Sequence, residues 1–138
     1  MLAEQQDYDE LCCYTLAHSS PAFLHQHVVD AFAAQHASVE TKPIRLTFAL
    51  IGLYLHVERQ FSGRQVQRVH MLLAKRRHAW PTFPLPALRG SLTATSVMAA
   101  SPGLERDRAI DEWCVAVWKA YEDSKPMLMA LLEEHDIA

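Results

Sequence analysis

Prolines that follow a serine or threonine at short range divide this chain into segments of helical length, and this punctuation constrains the fold more than any other feature. Proline fits the first turn of a helix because its missing N–H is not needed there, and a preceding hydroxyl side chain can cap free N–H groups. The four such signals are Ser20-Pro21, Thr41-Lys42-Pro43, Ser101-Pro102 and Ser124-Lys125-Pro126. They predict helices over about 4–18, 21–38 and 43–60, a long helix after 101, and a kink or a final helix at Pro126.

A fifth helix start carries a more specific signal. Ser62 and Gln65 have the spacing of a capping box, and Phe61 can contact Val66 as a hydrophobic staple. These residues predict a helix over 63–78. The segment WPTFPLPALRG at 80–90 follows, and its three prolines exclude a helix and favour an extended path. We expect a Pro-rich strap near residues 80–92 across the bundle, then a short helical turn near 95–100.

Apolar residues recur at helical spacing, and no segment shows the alternation typical of a half-buried strand. The helix over 43–60 is apolar around most of its circumference, except for a polar stripe of Arg45, Gly52, His56 and Arg59. A helix of this kind belongs at the centre of a bundle. With 138 residues, the chain has the size of one domain. The predicted fold is therefore all-α, a single domain over 1–138 with five or six helices around the 43–60 helix.

The long helix after Pro102 has the clearest amphipathic pattern. Its predicted buried face consists of Ile110, Trp113, Cys114, Val117, Trp118 and Tyr121. The C-terminal segment with Met127, Leu128, Leu131 and Leu132 is also amphipathic, so it either covers the core or pairs with another subunit as a homodimer.

Cysteine use and hydropathy indicate the compartment. Three cysteines, two of them adjacent at Cys12 and Cys13, make a poor disulfide framework and favour a reducing cytoplasm. The first forty residues contain no lysine or arginine, which argues against a signal peptide. The longest apolar stretch, at 44–57, is too short to cross a bilayer. We expect a cytoplasmic protein without a membrane segment.

Charge is segregated along the chain although the net charge is only -3. Residues 1–41 contain six acidic residues and no basic one, whereas residues 42–89 contain nine lysines and arginines against Glu58. Arg64, Arg68 and Lys75 form a basic stripe on the predicted 63–78 helix. Such a stripe either packs beside the acidic helices or binds an anion or a partner protein. The acidic net charge and the lack of a recognised motif make nucleic acid an unfavoured ligand.

The segment AFLHQHVVD at 22–30 places polar side chains inside an apolar run. His25 and His27 cannot chelate one ion, because residues two apart on a helix point in nearly opposite directions. His27 and Asp30 are one turn apart and therefore neighbours. They could share a metal ion, or the carboxylate could simply orient the imidazole at the edge of the core.

A metal hypothesis extends this pair to other helices. His18, His27 and His70 each lie at the margin of a predicted core face, and Asp30 or Glu58 could complete the ligand set. Nitrogen and oxygen ligands of this kind suit a divalent metal such as Zn, Fe, Ni or Mn. Each histidine can equally be satisfied by its own neighbours, and Glu58 can reach solvent. The spacings of zinc proteases and di-iron bundles are missing.

Nucleophilic catalysis has no motif in this sequence. There is no GxSxG, no phosphate-binding loop and no CxxC, and Cys13 lacks the electropositive surroundings that activate a thiol. Whether the protein is an enzyme stays open at this stage. The primary hypothesis is a non-catalytic binding or interaction module, and the alternative is a metal-dependent helical enzyme or sensor.

Three stretches carry a resemblance to a known family. They are YDELCCYTLAHSSPAFLHQHVVDAFAAQ, LIGLYLHVERQFSGRQVQRVHMLLA and ERDRAIDEWCVAVW. Together they resemble a family of small bacterial all-helical proteins of uncharacterised function. Some of its members begin with a CPGC-type segment similar to half a zinc ribbon, which this sequence lacks. The resemblance implies a bacterial source and assigns no residue a catalytic role.

Overall fold

Helices form nearly all of the regular structure in the computed structural model, which describes residues 2–17 and 22–137. The helices are α1 Leu2–Ala17, α2 Leu24–Gln35, α3 Pro43–Arg59, α4 Gly63–Arg76, α5 Ala94–Ala99, α6 Leu104–Tyr121 and α7 Lys125–Glu134. A 3-10 turn, Glu122–Ser124, joins α6 to α7. No strand occurs in these two described ranges. The all-α prediction is confirmed.

The centre of the fold is α3, as the apolar sequence of this helix predicts. All but one of its residues from Leu46 to Leu55 are buried, and α3 packs against α2, α4, α6 and α7. Each fully buried leucine or isoleucine contributes about 1.5–3 kcal/mol through removal of apolar surface from water. The helix that is apolar on most sides therefore lies in the interior of the bundle.

The helix ends agree with the sequence where side-chain capping is local. Ser62 accepts from the backbone N–H of Gln65 at 3.2 Å, and the Gln65 side chain accepts from the N–H of Ser62 at 2.8 Å, which confirms the capping box. The second helix begins at Leu24 and ends at Gln35, so it is shorter than predicted. The predicted cap Ser20 and the following Pro21 lie outside the described residues.

Residues 77–93 form the predicted strap and contain no helix. Phe83 is buried and anchors the segment in the core. Arg89 then donates to the backbone carbonyls of Ala34, Gln35 and Ala37. These carbonyls belong to the C-terminal end of α2, where a helix leaves acceptors unpaired. The strap is thus fastened at one end by packing and at the other by an arginine that caps α2.

The last two helices complete the core. Every residue of the predicted apolar face of α6 is buried. In α7, Leu128, Leu131 and Leu132 are buried and Met127 is exposed, so this segment covers the core of its own chain. Within the part of the chain that the structure describes, no helix has the length and apolar character needed to cross a bilayer.

Candidate functional site

The closest approach of α2 and α3 places a carboxylate inside the protein. A Cβ atom added to Gly52 would lie 1.8 Å from Oδ2 of Asp30, so only glycine leaves room for this side chain. Oδ1 of Asp30 accepts from Gln26 at 3.1 Å, whereas Oδ2 is buried without a hydrogen-bond partner in the described chain. Burial raises the pKa of Asp30 well above its usual value. The carboxyl group therefore favours its protonated form.

One turn earlier, His27 stacks on a histidine of α3. The ring of His27 is 2% exposed and lies on the ring of His56, with 3.5 Å between centroids and 16° between planes. Its Nδ1 atom is buried and has no partner among the described residues. Burial is the main cause that lowers the pKa of His27 to about 3, and the interaction with His56 contributes to this shift. His27 is therefore a neutral imidazole near pH 7.

Both ring nitrogens of His56 face hydrogen-bond acceptors. Nδ1 lies 3.2 Å from the carbonyl oxygen of Phe61, and Nε2 lies 3.0 Å from Oδ1 of Asp111 on α6. The neutral ring of His27 therefore stacks on a ring that contacts an oxygen atom at each nitrogen, and one of these atoms is a carboxylate oxygen of Asp111. Because imidazole lone pairs lie in the ring plane, two nearly parallel rings do not direct them at one metal ion.

The stacked pair lines a surface cleft of about 530 Å³, which we call the histidine cleft. The cleft lies where the start of α2, the end of α3, the start of α4 and the middle of α6 meet. Its polar lining residues are His27, His56, Gln60, Ser62, Gln65 and Asp111, and its apolar ones are Ala22, Leu24, Val57, Phe61 and Val115. An opening of this size and mixed character suits a small organic ligand.

The other metal candidates lie apart from this cleft. Nε2 of His70 contacts the carbonyl oxygen of Phe48 at 2.8 Å, and its ring stacks on that of Phe48. Burial lowers the pKa of His70 to about 4. None of the contacts described joins His70 to His27 or Asp30. The predicted ligand His18 lies outside the described residues.

Glu58 lies on the side of α3 that faces α6 and α7. Its Oε2 accepts from the indole N–H of Trp118 at 2.7 Å, and its Oε1 accepts from Lys125 at 2.5 Å. The ammonium of Lys125 lowers the pKa of Glu58, and Trp118 lowers it further. Both oxygens are thus occupied. In the described ranges no three His, Cys, Asp or Glu side chains are grouped so that they could hold a metal ion.

His25 confirms that the two histidines of the HQH segment face apart. Its Nδ1 lies 3.1 Å from the hydroxyl oxygen of Thr15 on α1, and burial lowers its pKa. His25 does not line the histidine cleft. His25 therefore contacts α1, whereas His27 contacts His56 of α3, and the two histidines form a matched pair for mutagenesis.

The basic stripe of α4 is exposed as predicted. Arg64, Arg68 and Lys75 all lie on the outer face of the helix, and Val66, Val69 and Leu73 are buried on the inner face. Arg64 also packs its guanidinium over the ring of Phe23, 4.1 Å from the centroid, and donates to Gln67. The exposed helix face adds Met71, which lies between the cations and is 57% exposed.

Comparison with known proteins identifies the family. The model described as "Family of unknown function (DUF5946)" matches residues 5–122. The chain belongs to this family. No curated protein matches it, and no solved structure matches it. The resemblance inferred from the three sequence stretches is thereby confirmed at the level of an uncharacterised family, and the match assigns no activity.

Sequence reasoning missed two members of the histidine cleft and misplaced a third residue. The interpretation of Gly52 and His56 as part of a polar stripe is wrong for Gly52, which is buried, and His56 is half-buried against α2. Asp111, an exposed residue of α6, was not among the predicted site residues. One signal was present: a glycine inside an apolar helix often marks a close approach of another backbone or side chain.

Proposed function

We propose that this protein is a non-catalytic binding module that holds an acidic amphipathic helix of a partner protein on the outer face of α4. The observation that carries the proposal is one row of exposed side chains, Arg64, Arg68, Met71 and Lys75. Their spacing of four, three and four residues places them on one line along a helix. We call this line the basic row.

The cations of the basic row have no acidic partner in the described chain. Elsewhere Arg77 pairs with Glu134 at 2.7 Å, and Lys125 pairs with Glu58. The guanidinium of Arg106 donates to the carbonyls of Met98 and Ala100. The unneutralised charge of the row gives a net acidic chain a positive surface on α4, and such a surface attracts an anionic partner.

The apolar members of the same surface indicate the class of partner. Met71 lies inside the basic row, and Leu72 beside it is 40% exposed. Phosphates of a nucleic acid would leave these side chains without apolar contacts, whereas a helix with alternating acidic and apolar positions contacts both kinds of group. Methionine also adapts its shape to different apolar partners. We therefore place a protein helix, and not a nucleic acid, on α4.

The proposal places the module in the bacterial cytoplasm. Cys12 and Cys114 are at least partly buried and Cys13 is exposed, and all three are free thiols. Free thiols are typical of a reducing compartment.

The test is a fluorescence-anisotropy titration of a labelled synthetic amphipathic helix. One face of this peptide carries glutamate and leucine in alternation from turn to turn. We expect binding that weakens with added salt, because exposed charges are screened. The variant Arg68→Glu/Lys75→Glu should lose at least about tenfold in affinity, equal to about 1.4 kcal/mol. Arg64 is left unchanged because it also packs on Phe23.

The matched control is Arg108→Glu/Lys119→Glu, which changes the net charge equally at two exposed positions of α6. This variant should bind the peptide as the unmodified protein does. Equal loss in both variants would show a non-specific charge effect and contradict the proposal. Binding of duplex DNA or anionic vesicles in place of the peptide would contradict the assigned class of partner.

A further inference from the structure

The histidine cleft contains a buried polar group that lacks a partner. Nδ1 of His27 makes no hydrogen bond with any described residue, although the ring is 2% exposed and lines the cleft. A buried polar atom without a partner destabilises the folded state, and most such atoms in folded proteins are paired. A ring that borders an open cleft can obtain its missing partner from a ligand.

The neighbouring polar groups of the cleft leave donors free. In the capping box of α4, Ser62 Oγ accepts from the N–H of Gln65, and Gln65 Oε1 accepts from the N–H of Ser62. Their acceptor oxygens are engaged, so the Ser62 hydroxyl hydrogen and the Gln65 amide N–H groups remain for a ligand. A ligand that meets these groups must supply acceptors.

The electrostatic setting agrees with that donor surplus. The first turn of α4 contains no acidic residue, and the N-terminal end of this helix, which carries the positive end of the helix dipole, borders the cleft. Asp111 is the one carboxylate among the described lining residues, and its Oδ1 is engaged by His56 while the side chain is 58% exposed to solvent. Solvent weakens its repulsion of an anion.

The apolar lining determines the rest of the ligand. Leu24, Val57 and Phe61 form apolar walls next to the donors. From these observations we infer that the histidine cleft binds a small carboxylate with an apolar body, whose oxygens accept from Ser62, Gln65 and His27. This site is separate from the basic row of α4 and does not depend on the function proposed for that row.

The experiment follows the imidazole signals of the full chain by NMR during titration with benzoate, with benzylamine as a probe of similar shape and opposite charge. Benzoate should shift the His27 and His56 signals with saturation, and the His25 signal should not move. Benzylamine should not saturate. Saturation by benzylamine with an affinity equal to or higher than that of benzoate would overturn the inferred charge of the ligand, and no saturation by either probe would overturn the site.

Two variants locate the contact. Gln65→Glu keeps the acceptor that completes the capping box but replaces the amide donor with a carboxylate, so it should weaken benzoate binding at least about tenfold. Gln67→Glu, on the same helix but outside the cleft, is its control and should bind as before. His27→Phe should also lose at least about tenfold, and His25→Phe should not. Equal affinity in Gln65→Glu and Gln67→Glu would overturn the inference.

Further probes test the apolar body and the separation from α4. Inorganic phosphate should bind more weakly than benzoate because it makes no apolar contacts, and equal or tighter binding of phosphate would overturn the assigned ligand class. The Arg68→Glu/Lys75→Glu variant should bind benzoate with unchanged affinity. Loss of benzoate binding in this variant would overturn the separation of the two sites. If benzoate binding is retained but the peptide does not bind, the inference on the cleft stands and the function proposed for the basic row fails.

Discussion

Two carboxylates on apolar helices of this protein have opposite environments. Asp30 lies in the middle of α2, where burial raises the pKa and Oδ2 has no described partner. Glu58 lies in the last turn of α3, where Lys125 and Trp118 occupy both oxygens and the pKa is lowered. The same chemical group is thus held protonated in one region and ionised in the other.

The difference shows that position along a helix decides what a carboxylate on an apolar face can do. A residue near a helix end can reach solvent and a cation. At this end of α3, the neighbouring helix α7 supplies the lysine that pairs with Glu58. A residue in the middle of a helix that packs on another helix has neither. Asp30 is therefore a buried carboxyl group with one oxygen that lacks a described partner, whereas Glu58 is a partly exposed carboxylate paired with a lysine.

The largest expected effect comes from filling the space above Gly52. Gly52→Ala places a methyl group against Asp30 and near Val66, whose Cγ1 would be 3.2 Å away. Overpacking of this kind costs typically about 1–3 kcal/mol, and the greater helix propensity of alanine returns about 1 kcal/mol at most. We expect a net loss of about 2 kcal/mol, from a cost at the upper end of that range less the gain in helix propensity, in urea unfolding followed by tryptophan fluorescence.

The double variant Gly52→Ala/Asp30→Ala identifies the cause. Removal of the carboxylate leaves room for the new methyl group, so the double variant should recover part of the lost stability. If the two losses simply add, the close contact between Asp30 and Gly52 does not explain the effect.

A second prediction uses the raised pKa of Asp30. Above its unfolded-state pKa of about 3.9, the unfolded chain releases this proton while the folded chain retains it. The wild-type protein should therefore lose stability as the pH rises through this window, at most by about 1.4 kcal/mol for each pH unit. Asp30→Asn cannot titrate, so its stability relative to the wild type should increase from pH about 4 towards neutrality.

The readout is the slope against pH and not the stability at one pH. An asparagine keeps an acceptor for Gln26 but buries an amide N–H₂ without a partner, and this cost is the same at every pH. A difference between variant and wild type that stays constant with pH would show that Asp30 is ionised in the folded protein.

The smallest expected effect is at Glu58 and has the opposite sign. A lowered pKa stabilises the folded state above the unfolded value of about 4.3 and loses this contribution as the pH falls through the folded value. Glu58→Gln should therefore be less stable than the wild type near neutral pH and equal to it in acid. The pair is partly exposed, so the effect should also decrease with salt. Parallel pH trends in the Asp30 and Glu58 variants would remove the contrast between the two regions.

Sequence reasoning succeeded where a feature depends on neighbours within one helix. The capping box of Ser62 and Gln65, the buried face of α6 and the exposed stripe of α4 all follow from spacing along the chain. The separation of His25 from His27 also follows from helical geometry. These are local relations, and residues three or four apart on a helix are neighbours in any tertiary fold.

Reasoning from spacing did not bring together residues of different helices. The helical periodicity placed His18, His27 and His70 at the margins of core faces and His56 in a polar stripe, but it contains no information on the level at which one helix crosses another. The crossing of α2 and α3 beside Gly52 brings His27 onto His56, and the packing of α4 on α3 brings His70 onto Phe48. The metal set built from His27 and His70 depended on a crossing that these contacts do not provide.

The sequence by itself determined an all-α chain with α3 at its centre, because hydrophobic period, proline positions and capping residues act over a few residues. It also determined which side chains of α4 face outward. Only the tertiary structure decided that Asp30 has no described partner for Oδ2 while Glu58 has two partners, and that two histidines from different helices stack beside a cleft. The reason is physical: the pKa and the pairing of a buried polar group depend on which distant groups packing brings within a few ångströms.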